Sequence, residues 1–368
     1  MGAGPVNVMN RTTGTRKLLG YNRTVSPGFA TPEGAARLVA RFAAFRDRGF
    51  YRKVDQLDVS SVGLGTYLGN ADDRTDSAYC DAVIAAVRGG INFLDTAINY
   101  RHQRSERSIG AALAELFRTG DARRDEVAVA TKAGFLTPGA VPAFLKAGDV
   151  AGDMHSMEAD FLADQIERSR ANLGLETIDI FYLHNPETQL GFVSREEFDH
   201  RIRLAFLKLE QMAADGKIRH YGTATWDGYR KPAGAREALN LARLLELAVE
   251  AGGSAHHFRF IQLPFNLAMP EAFTNGVLEL AAKSGITAVA SASLLQARLA
   301  RDLPQALAEK LPGLSTDAQR AIQFTRSAPG IAVALVGMSK AAHVAENLAV
   351  ASVPPLAADA YLDLFQRA

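Results

Sequence analysis

Short apolar runs recur along this chain, and between them stand polar loops and segments whose apolar residues repeat every three to four positions. That is the rhythm of strands alternating with helices. Runs suited to buried strands fall at 62–65, 91–95, 127–132, 178–184, 218–223, 260–264, 287–292 and 333–337. Helical spacing predicts helices over 82–88, 109–118, 161–173, 203–215, 235–251, 273–283 and 341–349. Eight strand-and-helix units with no linker-like break favour a closed (β/α)8 barrel over an open doubly wound sheet.

A barrel of this kind needs about 250 residues, so the surplus falls in an N-terminal extension and in long rim loops at 135–157, 189–200 and 303–315. The reading divides the chain into an arm, 1–56, and a barrel, 57–368. One helix is expected in the arm, opened by Thr31 as cap, Pro32 in the first turn and Glu33 near the positive end of the dipole.

Three neighbouring strands finish on titratable residues: Asp95, Lys132 and His184, with Tyr100 just past the first of them. In a barrel these four converge on the carboxyl-end rim, where such folds perform chemistry. Each alone is ordinary, since a strand-end Lys usually reaches solvent and a loop Tyr usually packs. Together they suggest a charge relay. An ammonium beside a phenol eases its ionisation, worth up to about 4 kcal/mol at 4 Å with an effective dielectric near 20. Asp95 would hold Lys132 charged, Tyr100 would become a proton donor, and His184 would orient a carbonyl oxygen. Arg101 or Arg104, in the turn after Tyr100, is expected to meet substrate or a rim carboxylate.

Composition narrows the field. A net charge of +1 argues against nucleic acid as a partner. Cys80 is the sole cysteine, so no intrachain disulfide exists and a reducing, cytoplasmic setting is expected. No apolar run approaches the roughly 18 residues of a membrane span. Arg11, Arg16, Lys17 and Arg23 give the first thirty residues a superficial likeness to a transit peptide, but their apolar residues lack helical spacing. A loosely ordered arm is expected there.

Competing chemistries fit less well. An aldolase would need Lys132 at a depressed pKa, which Asp95 opposes. A metal hydrolase would need more than His184 with Glu187, or the adjacent His256 and His257, and no metal is expected. Gly63, Gly65 and Gly69 lack the spacing of a dinucleotide-binding fingerprint.

The ordered set of motifs resembles the aldo/keto reductase superfamily over 57–349. The matching residues are Asp95, Tyr100, Ser105, Glu106 and Gly110; Thr131 and Lys132; and Asp179, Tyr182, Leu183, His184 and Pro186. Further along come Gly216 to Arg219 with Gly222, Gln262 to Asn266, and Gly337 to Lys340 with His343, Glu346 and Asn347.

The resemblance implies an oxidoreductase that interconverts a carbonyl and an alcohol by hydride transfer with NADP(H) or NAD(H), acting on a small molecule. Tyr100 would be the general acid and base, Lys132 and Asp95 would tune it, and His184 would orient substrate. It implies cofactor contacts from Gly65, Thr66, Tyr67, Thr225, Gln262, Ser291, Leu294, Gly337, Ser339, Lys340, His343, Glu346 and Asn347. Glu346 and Asn347 would stand at the adenine, and Lys340 or His343 near a 2′-phosphate, with a helix N-terminus in support.

Departures touch the cofactor cradle. Ala224-Thr225-Trp226 replaces the family's Ser-Asn, and Ser291-Ala292-Ser293-Leu294 with Ala297 replaces an aromatic, Ser-Pro-Leu and a glycine. Trp226 or Tyr67 would then supply the stacking surface. His343 stands where arginine is common. A barrel with so altered a cradle could instead serve as a cofactor-sensing binding or scaffold protein.

Overall fold

A computed structural model describes residues 25–365. The basic residues of the first twenty-four positions, and the expectation of a loose arm there, lie outside the described residues. The chain opens with helices α1 (Pro32–Ala40) and α2 (Ala43–Arg46) and a hairpin of β1 (Tyr51–Val54) and β2 (Leu57–Ser60), then enters β3 (Val62–Gly65) and α3 (Asp73–Arg88). There follow β4 (Phe93–Asp95), α4 (Arg104–Thr119), β5 (Ala128–Ala133), the small hairpin β6 (Val150–Ala151) and β7 (His155–Ser156), α5 (Ala159–Leu173), β8 (Ile178–His184), α6 (Arg195–Ala214) and β9 (Ile218–Ala224). The remainder is α7 (Leu241–Gly252), β10 (Phe258–Pro264), α8 (Glu271–Thr274), α9 (Val277–Lys283), β11 (Thr287–Ser291), α10 (Gln305–Lys310), α11 (Asp317–Ser327), β12 (Ile331–Gly337), α12 (Ala341–Leu348) and α13 (Ala358–Leu362).

Eight parallel strands, β3, β4, β5, β8, β9, β10, β11 and β12, close on themselves in that order, as the (β/α)8 reading expects. Strand side chains alternate between faces. One set, including Phe93, Ala128, Ala130, Ile180, Tyr182, Phe260, Val289, Val333 and Leu335, fills the barrel interior. The other packs against the helices in a larger core. Val54 and Val59 of the β1–β2 hairpin join the interior set and close its amino end.

Several helices differ from their sequence reading. The helix expected at 82–88 begins nine residues earlier, because Asp72 accepts from the Thr75 amide as an N-cap. Residues 195–200, read as loop, form the first turns of α6 under a Ser194 cap. The helix over 273–283 is broken between α8 and α9, where Gly276 takes φ +82°. The helix over 235–251 starts only at α7, capped by Asn240. α11, which the spacing did not suggest, starts at a capping box of Thr316 and Gln319. Thr31 does cap α1, its hydroxyl accepting from the Gly34 amide, and α2 is a single further turn.

Candidate active site

The interior layers explain how polar groups meet at the rim. Two residues beyond each inward apolar side chain comes another inward one, so the layer above Phe93, Ala130, Tyr182, Phe260, Val289 and Leu335 consists of Asp95, Lys132, His184, Gln262, Ser291 and Gly337. The barrel core therefore turns from apolar to polar within one step at its carboxyl end.

Lys132 and Asp95 are buried there, 1% and 4% exposed. Lys132 Nζ donates to Asp95 Oδ1 at 2.6 Å and to the Thr96 carbonyl at 2.7 Å. Gln262 Nε2 donates to Asp95 Oδ2 at 2.7 Å, so both carboxylate oxygens are engaged. Burial is the largest influence on each charge, pushing the Asp95 carboxyl up and the Lys132 ammonium down; the ion pair opposes both shifts.

The Tyr100 ring lies with its centroid 5.0 Å from Lys132 Nζ, 5.7 Å from the His184 ring and 5.0 Å from the Tyr67 ring. The expected lowering of its pKa by Lys132 is not what the surroundings do. Burial pushes the phenol well above its ordinary value, and the Asp95 and Tyr67 charges push the same way. Burial thus outweighs the nearby ammonium, whose hydrogen bonds go to Asp95 and the Thr96 carbonyl. His184 is held neutral, its pKa driven well down by burial, then by Lys132 and His155.

Tyr100 is carried on a turn in which Arg101, His102 and Gln103 all take positive φ. Arg101 supports that turn from below, pairing with Asp76 at 2.6 Å and donating to Ser105 and Ser108. Arg104 pairs with Asp73 and Asp76. The arginines thus meet carboxylates of α3.

Above the four residues opens a cavity of about 490 Å³, within the usual range for small-molecule sites. Of the sequence-derived cofactor contacts, Gly65, Thr66, Tyr67, Thr225, Gln262, Ser291, Leu294 and Gly337 line it. Ser339, Lys340, His343, Glu346 and Asn347 do not; they follow on the segment that leads into and through α12. Trp226 also lines the cavity and is half exposed.

Sequence reasoning passed over Asn99, Phe135, Asn185 and Gln296, which the cavity adds, and named Ser293 and Ala297 only as departures in the cradle. Position next to Tyr100 was the one available signal for Asn99, and nearness to Lys132 that for Phe135. Four buried polar atoms of the wall, Asn99 Oδ1, His184 Nδ1, Thr225 Oγ1 and Ser293 Oγ, lack a hydrogen-bond partner. Each such atom costs about 1–3 kcal/mol while unsatisfied, so the wall fits a ligand with several polar groups, as a nicotinamide dinucleotide has.

Glu187, which follows β8, shapes the loop after β9. Its Oε1 accepts from the backbone amides of Trp226, Asp227 and Gly228, while burial, the largest influence, pushes the carboxyl up to about 7. His257, once considered as a ligand, is paired with Glu210 at 2.6 Å. Among the described residues no helix is long and apolar enough to cross a membrane.

The model of the aldo/keto reductase family matches residues 61–364. The 6-dehydroglucose reductase of Novosphingobium aromaticivorans is 27% identical over 321 residues, 83% of this chain and 89% of that protein. The NADH-specific methylglyoxal reductase of Escherichia coli is 30% identical over 176 residues, 46% of this chain and 50% of that protein. D-threo-aldose 1-dehydrogenase of a Pseudomonas species is 33% identical over 180 residues, 45% of this chain and 50% of that protein. The chain thus spans half the length of the last two relatives. Among solved structures, an aldo/keto reductase from Klebsiella pneumoniae in complex with NADP and acetate superposes with a TM-score of 0.60 at 20% identity, covering 84% of this chain and 92% of that one.

Proposed function

This chain belongs to the aldo/keto reductase family, and from that premise we propose that it interconverts a small carbonyl compound and its alcohol with NADP(H) or NAD(H), Tyr100 serving as general acid and base. The division into an arm, 1–56, and a reductase barrel, 57–368, belongs to the same proposal. The observation that carries it is the convergence of Tyr100, Asp95 and His184 on one cavity, with Lys132 paired to Asp95 and 5.0 Å from the centre of the Tyr100 ring.

Bound in that cavity, a nicotinamide dinucleotide supplies or takes the hydride. The chain's own residues handle the proton. Tyr100 stays protonated at neutral pH because burial disfavours the phenolate. A phenol that keeps its proton until the substrate oxygen gains charge is placed to give it up as the alkoxide forms. Lys132, held by Asp95 and Thr96, stands close enough to stabilise the phenolate that results. The neutral His184 imidazole has a free nitrogen with which to hold the substrate oxygen beside the phenol. Trp226 and Tyr67 offer aromatic faces at the mouth, and the unpartnered Thr225 and Ser293 hydroxyls offer polar contacts.

NADP in the Klebsiella complex and NADH specificity in the Escherichia coli relative support a nicotinamide cofactor without choosing between the two. The names of the matched methylglyoxal and 6-dehydroglucose reductases support small carbonyl substrates. A scaffold role is not favoured, since a protein that only sensed cofactor would have no use for the buried proton-handling set.

The test is a titration of the sole tryptophan, Trp226, with NADPH and with NADH, combined with turnover of short aldehydes by wild type and Tyr100→Phe. Quenching by at least one dinucleotide is expected, with kcat reduced about 10²–10⁴-fold in the variant and quenching retained. Flat titrations with both dinucleotides would defeat the reading.

A further inference from the structure

The loop after β5 returns to the barrel rim through the β6–β7 hairpin, and there it buries a second histidine beside His184. His155 is fully buried. Its Nε2 lies 2.7 Å from the carbonyl oxygen of His184, and since a carbonyl only accepts, Nε2 carries the proton. Its Nδ1 accepts from Gln189 Nε2 at 3.0 Å, and the same amide donates to the His155 carbonyl at 3.1 Å. The orientation of that amide is set in turn by Arg201, which can only donate and does so to Gln189 Oε1 at 2.8 Å. One tautomer of His155 satisfies every contact.

The packing around this ring leaves it no alternative place. A Cβ on Gly134 would lie 2.5 Å from His155 Nε2 and 2.7 Å from the His184 carbonyl oxygen, so only glycine admits the contact. Phe135 stands edge-on to both histidine rings, with centroids 5.2 Å from each. His184 itself is the last residue of β8, and its imidazole makes no hydrogen bond among the described residues, Nδ1 being buried without a partner. No hydrogen bond of its own ring therefore fixes its position; its backbone and the edge-on rings of Phe135 and Tyr100 do.

We propose that His155 is a positioning residue for His184: through the His184 carbonyl and the shared Phe135 contact, the chain Arg201, Gln189, His155 sets where the His184 imidazole points in the cavity. The proposal rests on the reading that His184 orients the substrate oxygen. It assigns the long loop after β5 a part in aiming a side chain of the barrel floor.

The experiment compares the full chain with His155→Leu, which keeps bulk and donates nothing, and with His155→Gln, whose amide can place an N–H near the Nε2 position. The measurements are kcat and KM for a short aldehyde, the dinucleotide Kd from Trp226 quenching, and the ring resonances of His184 in isotope-labelled protein. His155→Leu is expected to lose about 10–100-fold in kcat, the range for a group that orients a functional side chain from behind, with the dinucleotide Kd within about twofold. The His184 resonances should move, and His155→Gln should recover most of the kcat. A kcat within about twofold of wild type in His155→Leu overturns the proposal, as does His155→Gln performing no better than His155→Leu.

Should His155→Leu fail to fold, Arg201→Met serves in its place: it is expected to lower kcat and shift the His184 resonances, and an unchanged kcat with unmoved resonances overturns the proposal. Wild type that turns over no carbonyl defeats the reductase reading instead, while the resonance arm still decides this one.

Discussion

The Lys132 ammonium donates to Asp95 Oδ1 at 2.6 Å while its nitrogen stands 5.0 Å from the centre of the Tyr100 ring. The closest electrostatic partnership in the pocket is thus between the two groups that do not exchange protons with substrate. Asp95 is in turn tied to Gln262 on the far side of the barrel, so a shift of the carboxylate would disturb three strands at once.

Replacing Asp95 by Asn leaves a buried ammonium without its counter-charge. The expected cost is about 3–5 kcal/mol in unfolding free energy, typical of breaking a buried pair, read from denaturant midpoints. The pH dependence has a definite sign. Without Asp95, only the more weakly acting Glu106 charge opposes the burial that already depresses Lys132. A base whose folded pKa is depressed contributes its stability above the unfolded value, and that stability is lost as pH falls. The gap between wild type and Asp95→Asn should therefore narrow as pH rises toward about 10, where the unfolded lysine also gives up its proton. A gap that is constant with pH would count against a charged Lys132.

Glu187 supplies a second pH signature, in the opposite direction. Its folded carboxyl is pushed up to about 7, against about 4.3 in an unfolded chain. The contribution is fully present below the unfolded value and is lost as pH rises through the folded one. Its size is about 4 kcal/mol, from 1.36 kcal/mol per unit. Wild type minus Glu187→Gln, compared at about pH 5 and about pH 8 by chemical unfolding, should fall by an amount of that order. Because Glu187 holds the amides of Trp226, Asp227 and Gly228, tryptophan emission should follow the same titration in wild type and be flat in the variant.

The barrel was legible because its strands are apolar runs bounded by polar turns, and because Asp95, Lys132 and His184 interrupt those runs at the same level. Helix starts were less legible. α3 opens with Asp73, Arg74, Thr75 and Asp76, and α6 with Arg195, Glu196 and Glu197, segments whose polar composition hides the period until a cap is recognised. His155 gave no signal at all. Its partners Gly134, His184 and Gln189 come from separate stretches of chain, and only the folded loop brings them within 3 Å. The direction of the Tyr100 shift is hidden for a related reason, since residue types do not reveal how deeply the fold will bury a phenol.

Ala297 stands in the cavity wall with φ +68°, near Ala292, Leu295 and Gln296, which are also left-handed. An alanine in that conformation costs about 1–2 kcal/mol relative to a glycine, partly offset by the greater freedom glycine has in the unfolded chain. Ala297→Gly is expected to raise stability by up to about 1 kcal/mol, seen as a higher thermal midpoint. If the strain helps hold the loop ready for ligand, the dinucleotide Kd should weaken in the same variant. A variant less stable than wild type would refute the strain.

Lys340 is exposed at the start of α12 and, among the described residues, makes no ion pair, while His343 follows on the first turn. If the adenosine end of a dinucleotide lies along this segment, Lys340 is the fixed positive charge available to a 2′-phosphate. Lys340→Met should then weaken NADPH by about 10-fold, the worth of one charge-assisted hydrogen bond, and leave NADH within about twofold. Equal losses for the two dinucleotides in Lys340→Met would move the phosphate elsewhere, and no loss for either would take this segment out of the cofactor site.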